Sequence, residues 1–379
     1  MTDIDPTTPE QPRGESFFRR HRVAAIIGCT AALAIAIAGG GVAVGVGVAS
    51  QQAATTATTQ QYSTLPSAYQ PQSTTLAPTA ATSAQQAGVV TILTSLFYQQ
   101  DARAAGTGIV LSSGGEILTN NHVIQGATSI KVTVESTGQT YTAKVVGSDT
   151  VDDIAVLQLE GATGLATASI GSTQVAAVGD AVTSIGNAEG TGNLVAATGP
   201  VSAIDQSITV SSDVTGVPET LHGLIEVNAD VVSGDSGGPL LDAKGRVIGM
   251  VTAASSGQRN VTGFAITIGS ALGVAHQIES GAASGNVTIG LPAFLGVTLG
   301  QGALGATIVG TVTGSAAASA GLVAGDTITA VDGTAVTANA DLSALIAAHA
   351  VGDQVTVAYT DSTGAAQQVV VTLGEGPAA

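Results

Sequence analysis

Three short stretches of the chain carry side chains whose chemistries fit together. In Gly234-Asp235-Ser236-Gly237-Gly238-Pro239-Leu240 a serine sits among glycines. Glycines permit the tight turn and close approach that would present the Ser236 Oγ and aim backbone N–H groups at a developing oxyanion. Ser236 is therefore the candidate nucleophile, and the N–H groups of Gly234 and Ser236 are the candidate oxyanion donors. A serine hydroxyl is a weak nucleophile at neutral pH and needs an imidazole within hydrogen-bond reach. Thr119-Asn120-Asn121-His122-Val123 supplies one in His122. The other histidines, His21, His222, His276 and His349, lie in no comparable motif and read as ordinary surface or core residues. A carboxylate must then fix the imidazole tautomer. Asp152-Asp153-Ile154-Ala155-Val156-Leu157 offers two, and Asp153 is preferred because it abuts the apolar run. The order His, Asp, Ser along the chain is one of the three in which such triads occur.

These residues need rigid elements to hold them. Short apolar runs cover Gly106 to Leu111, Ile130 to Val134, Tyr141 to Val146, Ile154 to Leu159, Ala181 to Ile185, Ile208 to Val210 and Val247 to Val251. Turn signals such as Ser113-Gly114-Gly115 and Lys244-Gly245 punctuate them, and no long segment of 3.6-residue period intervenes before about residue 269. That pattern predicts an all-β barrel or sandwich, closed by a helix around Gly269 to Glu279. With aromatic residues at 3% of the chain, its core must be built from Val, Ile, Leu and Ala.

Charge divides the chain into different materials. The 379 residues hold 10 Lys+Arg against 27 Asp+Glu, for a net −17. Such a surface lacks the basic footprint that nucleic-acid binding requires. A single cysteine excludes both an intrachain disulfide framework and a multi-thiolate zinc site, and no metal or cofactor is expected. Residues 1–22 balance four acids with four bases and read as a cytoplasmic leader. Residues 23–49 are uncharged and apolar, preceded by Arg19, Arg20 and Arg22. At 27 residues this run exceeds the ~20 needed to span hydrocarbon, so an uncleaved membrane anchor with export of the downstream chain is expected ahead of a cleaved signal. Residues 50–87, rich in Gln, Thr, Ser, Ala and Pro, read as a disordered tether. Folding is expected from about Gly88. The whole −17 lies in residues 101–379, and no Lys or Arg occurs after Arg259.

Taken together, Gly106-Thr107-Gly108-Ile109, Leu118 through Ile124, Asp153 through Leu157 and Gly234 through Leu240 resemble the HtrA/DegP-type trypsin-like serine proteases of bacteria. The resemblance implies two perpendicular six-stranded β-barrels over residues 88–280 with the triad in the cleft between them: a mainly β, chymotrypsin-like fold. It places the substrate-pairing strand at Gly249 to Ala254, with Thr252, Ala253 and Ala254 binding substrate and Thr262 to Ile266 forming a pocket wall. The chain departs from the family pattern at three positions. Ser233 and Asp235 stand where many members have Pro and Asn. In the wider trypsin family an acid at the Asp235 position pairs with a buried cation, which here would come from Arg103, Lys131, Lys144, Lys244, Arg246, Arg259 or a processed amino terminus. A side-chain partner or backbone satisfaction is expected ahead of processing. Asp230, six residues before Ser236, stands at the S1-floor spacing of trypsin-like enzymes, where the family usually has a small residue. Facing the pocket, it would select Arg or Lys at P1; the expectation is that it points away and that specificity stays small and apolar.

Residues 288–376 resemble a small α+β PDZ domain through Phe294-Leu295-Gly296-Val297, Ala317 to Gly333 and the helical pattern Asp341 to Ile346. Such a domain binds a C-terminal peptide as an added strand. Without a basic residue, the backbone of Phe294, Leu295, Gly296 and Val297 would hold the carboxylate alone, so weak affinity is expected. Leu342, Leu345 and Ile346 line the pocket or join the core. The expected function is an exported serine endopeptidase acting on unfolded or regulatory polypeptides, tethered to the membrane and capturing chain termini; the resemblance also allows a homo-oligomer. The alternative is a peptide-binding or chaperone module on a proteolytically weak or inactive protease scaffold.

Overall fold

The computed structural model describes residues 77–98, 102–171, 176–211, 218–256, 261–283, 285–300 and 305–378. The leader, the apolar run at 23–49 and most of the tether fall outside them. Among the described residues no helix is long and apolar enough to cross a membrane. Residues 79–86, within the stretch read as tether, form a strand and a helical turn. β1 (Thr79–Ala80) pairs with a later strand, α1 (Ser83–Gln86) begins with a Thr82 capping box, and Ala81 is buried in the core. Pairing and capping satisfy backbone groups that composition alone cannot account for.

A first closed barrel contains β2 (Val89–Leu96), β3 (Arg103–Val110), β4 (Glu116–Thr119), β5 (Ala127–Val134), β6 (Gln139–Asp149) and β7 (Ile154–Leu159). Its antiparallel order is β6-β5-β2-β3-β4-β7, closed by β6 on β7. Between β4 and β5 lies the single helical turn α2 (Asn121–Ile124). The second barrel contains β8 (Ala181–Gly186), β9 (Val195–Ser211), β10 (Pro218–Val227), β11 (Pro239–Leu241), β12 (Val247–Ser256) and β13 (Val261–Thr267). It runs β9-β10-β13-β12-β11-β8 and closes through β8 on β9. The continuous apolar run of β7 is explained by this arrangement. Ala155 and Leu157 point into the first barrel, while Ile154 and Val156 enter a second core shared with Ile185, Leu224, Met250 and Ile266 of the other barrel. A strand buried on both faces has no polar side to show.

Two straps cross between the barrels. β1 precedes the first barrel but pairs with β9 of the second. The expected helix is α3 (Ile268–Glu279), which comes after the second barrel and leads to β14 (Val287–Ile289), paired with β6 of the first. Thr267 caps α3, and Ile268, Ala271, Ala275 and Ile278 bury its inner stripe in the shared core.

The last unit contains β15 (Ala293–Phe294), β16 (Val297–Leu299), β17 (Ala306–Thr311), α4 (Ala316–Ser319), β18 (Thr327–Val331), β19 (Thr334–Ala335), α5 (Asn339–Ala347), β20 (Gln354–Thr360), β21 (Ala366–Thr372) and β22 (Gly374–Glu375). Its sheet runs β16-β17-β18-β20-β21. Leu342 and Ile346 of α5 are buried in its core and Leu345 packs against it, so all three serve packing. The unit docks on the first barrel. Tyr98 stacks on Phe294 with centroids 5.8 Å apart and donates its hydroxyl to the Glu375 carbonyl at 3.1 Å. Ala378 exchanges backbone bonds with Gly126 and Ala127, and its methyl enters the first barrel's core.

Candidate active site

The imidazole and its carboxylate come from two adjacent turns of the first barrel. Asp153 ends the β6–β7 connection with φ at +54°, a left-handed conformation that Asp tolerates better than most residues. This turn directs its carboxylate at α2, where Oδ1 accepts the His122 N–H at 2.9 Å and Oδ2 lies 2.9 Å from His122 Nδ1. The same carboxylate thus satisfies an orphan helix-start donor and fixes the ring. Asn120 holds the Asp153 carbonyl through its side-chain amide at 3.0 Å. Asp153 is 4% exposed, while 40% of the His122 side chain remains open to the cleft. Asp152 takes no part in this contact, and burial with the nearby charge of Asp149 raises its pKa.

The second barrel brings the serine to them through Thr252. The Thr252 hydroxyl donates to Asp153 Oδ2, and its carbonyl accepts the Ser236 Oγ–H at 3.3 Å. The side chain of Thr252 is therefore turned inward and supports the carboxylate. Val251 exchanges hydrogen bonds with Gly237 and Gly238, β13 pairs along the far side through Ala253 and Ala254, and β11 pairs only as far as Met250. The near edge from Thr252 onward is consequently open to an extended chain.

Thr107, between the glycines of Gly106-Thr107-Gly108, pins the serine loop to the first barrel. Its hydroxyl donates to the Gly234 carbonyl at 2.8 Å and accepts the Asn187 N–H at 2.9 Å, while its own N–H donates to the Ser236 carbonyl at 2.9 Å. The flanking glycines are required by contact: a Cβ at Gly106 would lie 2.6 Å from Val123 and 3.3 Å from the Ser236 carbonyl. A threonine between two glycines is the sequence feature that could have marked this junction, and its full burial appears only in the fold. Gly234 has φ +94°, and a Cβ there would stand 2.1 Å from the Asn187 carbonyl.

Asp235 is 4% exposed. Its Oδ2 accepts the Val232 N–H at 2.9 Å, and Oδ1, pressed against Gly186, has no partner. Backbone satisfaction is thus half achieved, and among the described residues no cation reaches the group. Burial pushes its pKa from 3.8 up to about 7, and the charge of the half-buried Asp230 acts in the same direction. Glu219 on β10 also has a raised pKa, from burial and from the charge of Asp153, with His122 opposing. No group of three or more potential metal ligands occurs among the described residues. A cavity of about 320 Å³, lined by residues including Asp152, Leu221, His222 and Val274, contains none of His122, Asp153 or Ser236. These three lie instead where the two barrels meet, beside β12.

In the last unit the carbonyls of the expected carboxylate loop turn inward. Leu295 accepts from the Ala317 N–H at 2.8 Å, and Gly296 from the Val312 N–H at 2.9 Å and Ser315 Oγ at 3.2 Å. Trans peptide geometry turns the Gly296 and Val297 N–H groups the opposite way. Leu295 itself is buried, Phe294 is held by Tyr98, and Gly296 has φ +82° with Ser315 where a Cβ would be.

The model of the trypsin-like peptidase domain matches residues 106–250, and that of the PDZ domain matches residues 293–371. Serine protease PepD of Mycobacterium tuberculosis is 33% identical over 305 residues, 76% of this chain and 64% of that protein. The chain thus carries a trypsin-like peptidase domain followed by a PDZ domain, and it is similar to serine proteases of the HtrA/DegP type. Two further relatives are the putative serine protease HhoB of Synechocystis, 36% identical over 68% of this chain and 63% of that protein, and the periplasmic serine endoprotease DegP of Escherichia coli, 32% identical over 68% and 55%. The chain spans less than two thirds of the length of these HtrA-type relatives.

Proposed function

We propose that the chain is a serine endopeptidase in which Ser236 attacks the scissile carbonyl, His122 takes and returns the proton, and Asp153 holds the imidazole and stabilises its charged form. The observation that carries this reading is the continuous network His122–Asp153–Thr252–Ser236, drawn from both barrels and spanning their junction. The N–H groups of Gly234 and Ser236 receive the oxyanion. Substrate pairs as an extended strand with the open edge of β12 at Thr252, Ala253 and Ala254, which favours exposed segments of unfolded polypeptides.

The PDZ domain takes C-terminal peptides through the N–H groups around Phe294, Leu295, Gly296 and Val297. The periplasmic relative DegP supports export of the catalytic portion, and the basic, then apolar, amino-terminal sequence supports a membrane tether over residues 23–49. Asp230 leaves two P1 preferences to be separated: small apolar residues, or Arg and Lys if its carboxylate faces the pocket.

A fluorophosphonate probe tests the chemistry. It labels the wild-type chain and not Ser236→Ala; absence of label on the folded wild type leaves the peptide-binding module as the function. A peptide-library cleavage profile on the same protein reads the P1 preference.

A further inference from the structure

The oxyanion donors are oriented by the carbonyls of their own peptide units. In a trans peptide the C=O and N–H point opposite ways, so whatever holds one aims the other. For Ser236 the relevant carbonyl is that of Asp235, which accepts the Gly238 N–H at 2.9 Å within the same turn. For Gly234 it is that of Ser233, which accepts the Glu189 N–H at 2.7 Å from a separate turn, Ala188–Gly190. Glu189 holds φ +57°, a conformation disfavoured for a residue with a Cβ, although its side chain is exposed. The turn is anchored beneath: the Asn187 N–H donates to Thr107 Oγ1, Asn187 Oδ1 accepts the Gly192 N–H at 2.7 Å, and the Asn187 carbonyl fills the space beside Gly234.

The geometry points to Glu189 as a positioning residue for the proposed peptidase reaction: its left-handed backbone delivers the N–H that turns the Ser233 carbonyl out and thereby aims the Gly234 N–H at the oxyanion. This inference rests on the serine-peptidase reading above. The role belongs to the backbone conformation, and the exposed carboxylate does not enter it. The oxyanion exists only in the transition state, so loss of the alignment lowers kcat and leaves ground-state binding unchanged.

Three replacements separate the possibilities. Glu189→Gly and Glu189→Asn tolerate the left-handed conformation and keep kcat within about twofold of wild type. Glu189→Val, β-branched and excluded from it, lowers kcat on an extended peptide substrate at least about tenfold, because loss of one oxyanion donor costs roughly 10²–10³, with KM within about twofold. Hydrogen exchange in the full chain carrying Ser236→Ala reads the bond without turnover: the Glu189 N–H is protected despite its place in an exposed turn. Equal kcat in Glu189→Val, an equal loss in all three variants, or an unprotected Glu189 N–H overturns the inference while wild-type activity stands. A folded wild type that hydrolyses nothing overturns the peptidase reading and this inference with it.

Discussion

Replacing Asp235 with Asn isolates the energetic consequence of a buried carboxyl beside Ser236 that no cation reaches among the described residues. In the folded chain its pKa stands at about 7 against 3.8 for the free group, chiefly through burial. Both folded and unfolded chains carry the proton below about pH 3, where the fold keeps its full stability. As pH rises to about 7 the unfolded chain ionises first, so stability is progressively lost. A pKa about three pH units higher in the folded chain, at about 1.4 kcal/mol per unit, sets the loss on the order of 4 kcal/mol. Asn preserves the acceptor for the Val232 N–H and, like the protonated acid, places one unpaired polar group against Gly186. The two proteins are therefore comparable in stability near pH 4, and the variant becomes the more stable by up to about 4 kcal/mol near pH 8. Urea unfolding followed by circular dichroism, with both proteins in a Ser236→Ala background to prevent self-cleavage, measures the difference at each pH. The other titrating groups cancel in that comparison. A difference that stays constant within about 0.5 kcal/mol from pH 4 to 8 would refute the reasoning, since a pKa raised by even one pH unit would change it by about 1.4 kcal/mol. With no cationic partner among the described residues, Asp235→Asn also retains its peptidase activity; loss of activity would reveal a partner for that carboxylate.

Other substitutions probe the remaining links. Thr252→Val keeps shape but removes the hydroxyl donor to Asp153; a buried bond to a charged group is worth about 1.5–3 kcal/mol, so a drop of at least about tenfold in kcat is expected in steady-state peptide hydrolysis. Gly234→Ala drives a Cβ to within 2.1 Å of the Asn187 carbonyl at φ +94°, and kcat should fall about 10² or more as an oxyanion donor is displaced. Tyr98→Ala removes the stack on Phe294 and the bond to Glu375, about 1 kcal/mol for the ring pair. Hydrogen exchange should then show faster exchange at the Gly126 and Ala378 amides, which pair across the same junction.

The strands and the three catalytic candidates were legible because they depend on local pattern. Val156 and Leu157 alternate between two cores, and that burial makes the run continuously apolar. Glycines mark the loop that must approach another backbone, as at Gly234. The inward role of the Thr252 side chain was not legible, because it depends on Asp153, 99 residues away on the other barrel. The pairing of Thr79–Ala80 with Val195 and Ala196 was hidden for a related reason: it depends on a distant strand, and the local composition resembles the tether. Asp235 shows a further limit. Sequence posed the question of its partner, but only packing against Gly186 shows an oxygen left without one.

Cleavage of a chemically unfolded protein, such as reduced casein, by the wild-type full chain and by His122→Ala, Asp153→Asn and Ser236→Ala tests the central claim most directly. New fragments are expected with the wild type, and losses of several orders of magnitude with Ser236→Ala, with His122→Ala and with Asp153→Asn, which leaves the imidazole in the wrong tautomer. Fragments produced equally by wild type and Ser236→Ala, or no cleavage by a folded wild type, would contradict that claim.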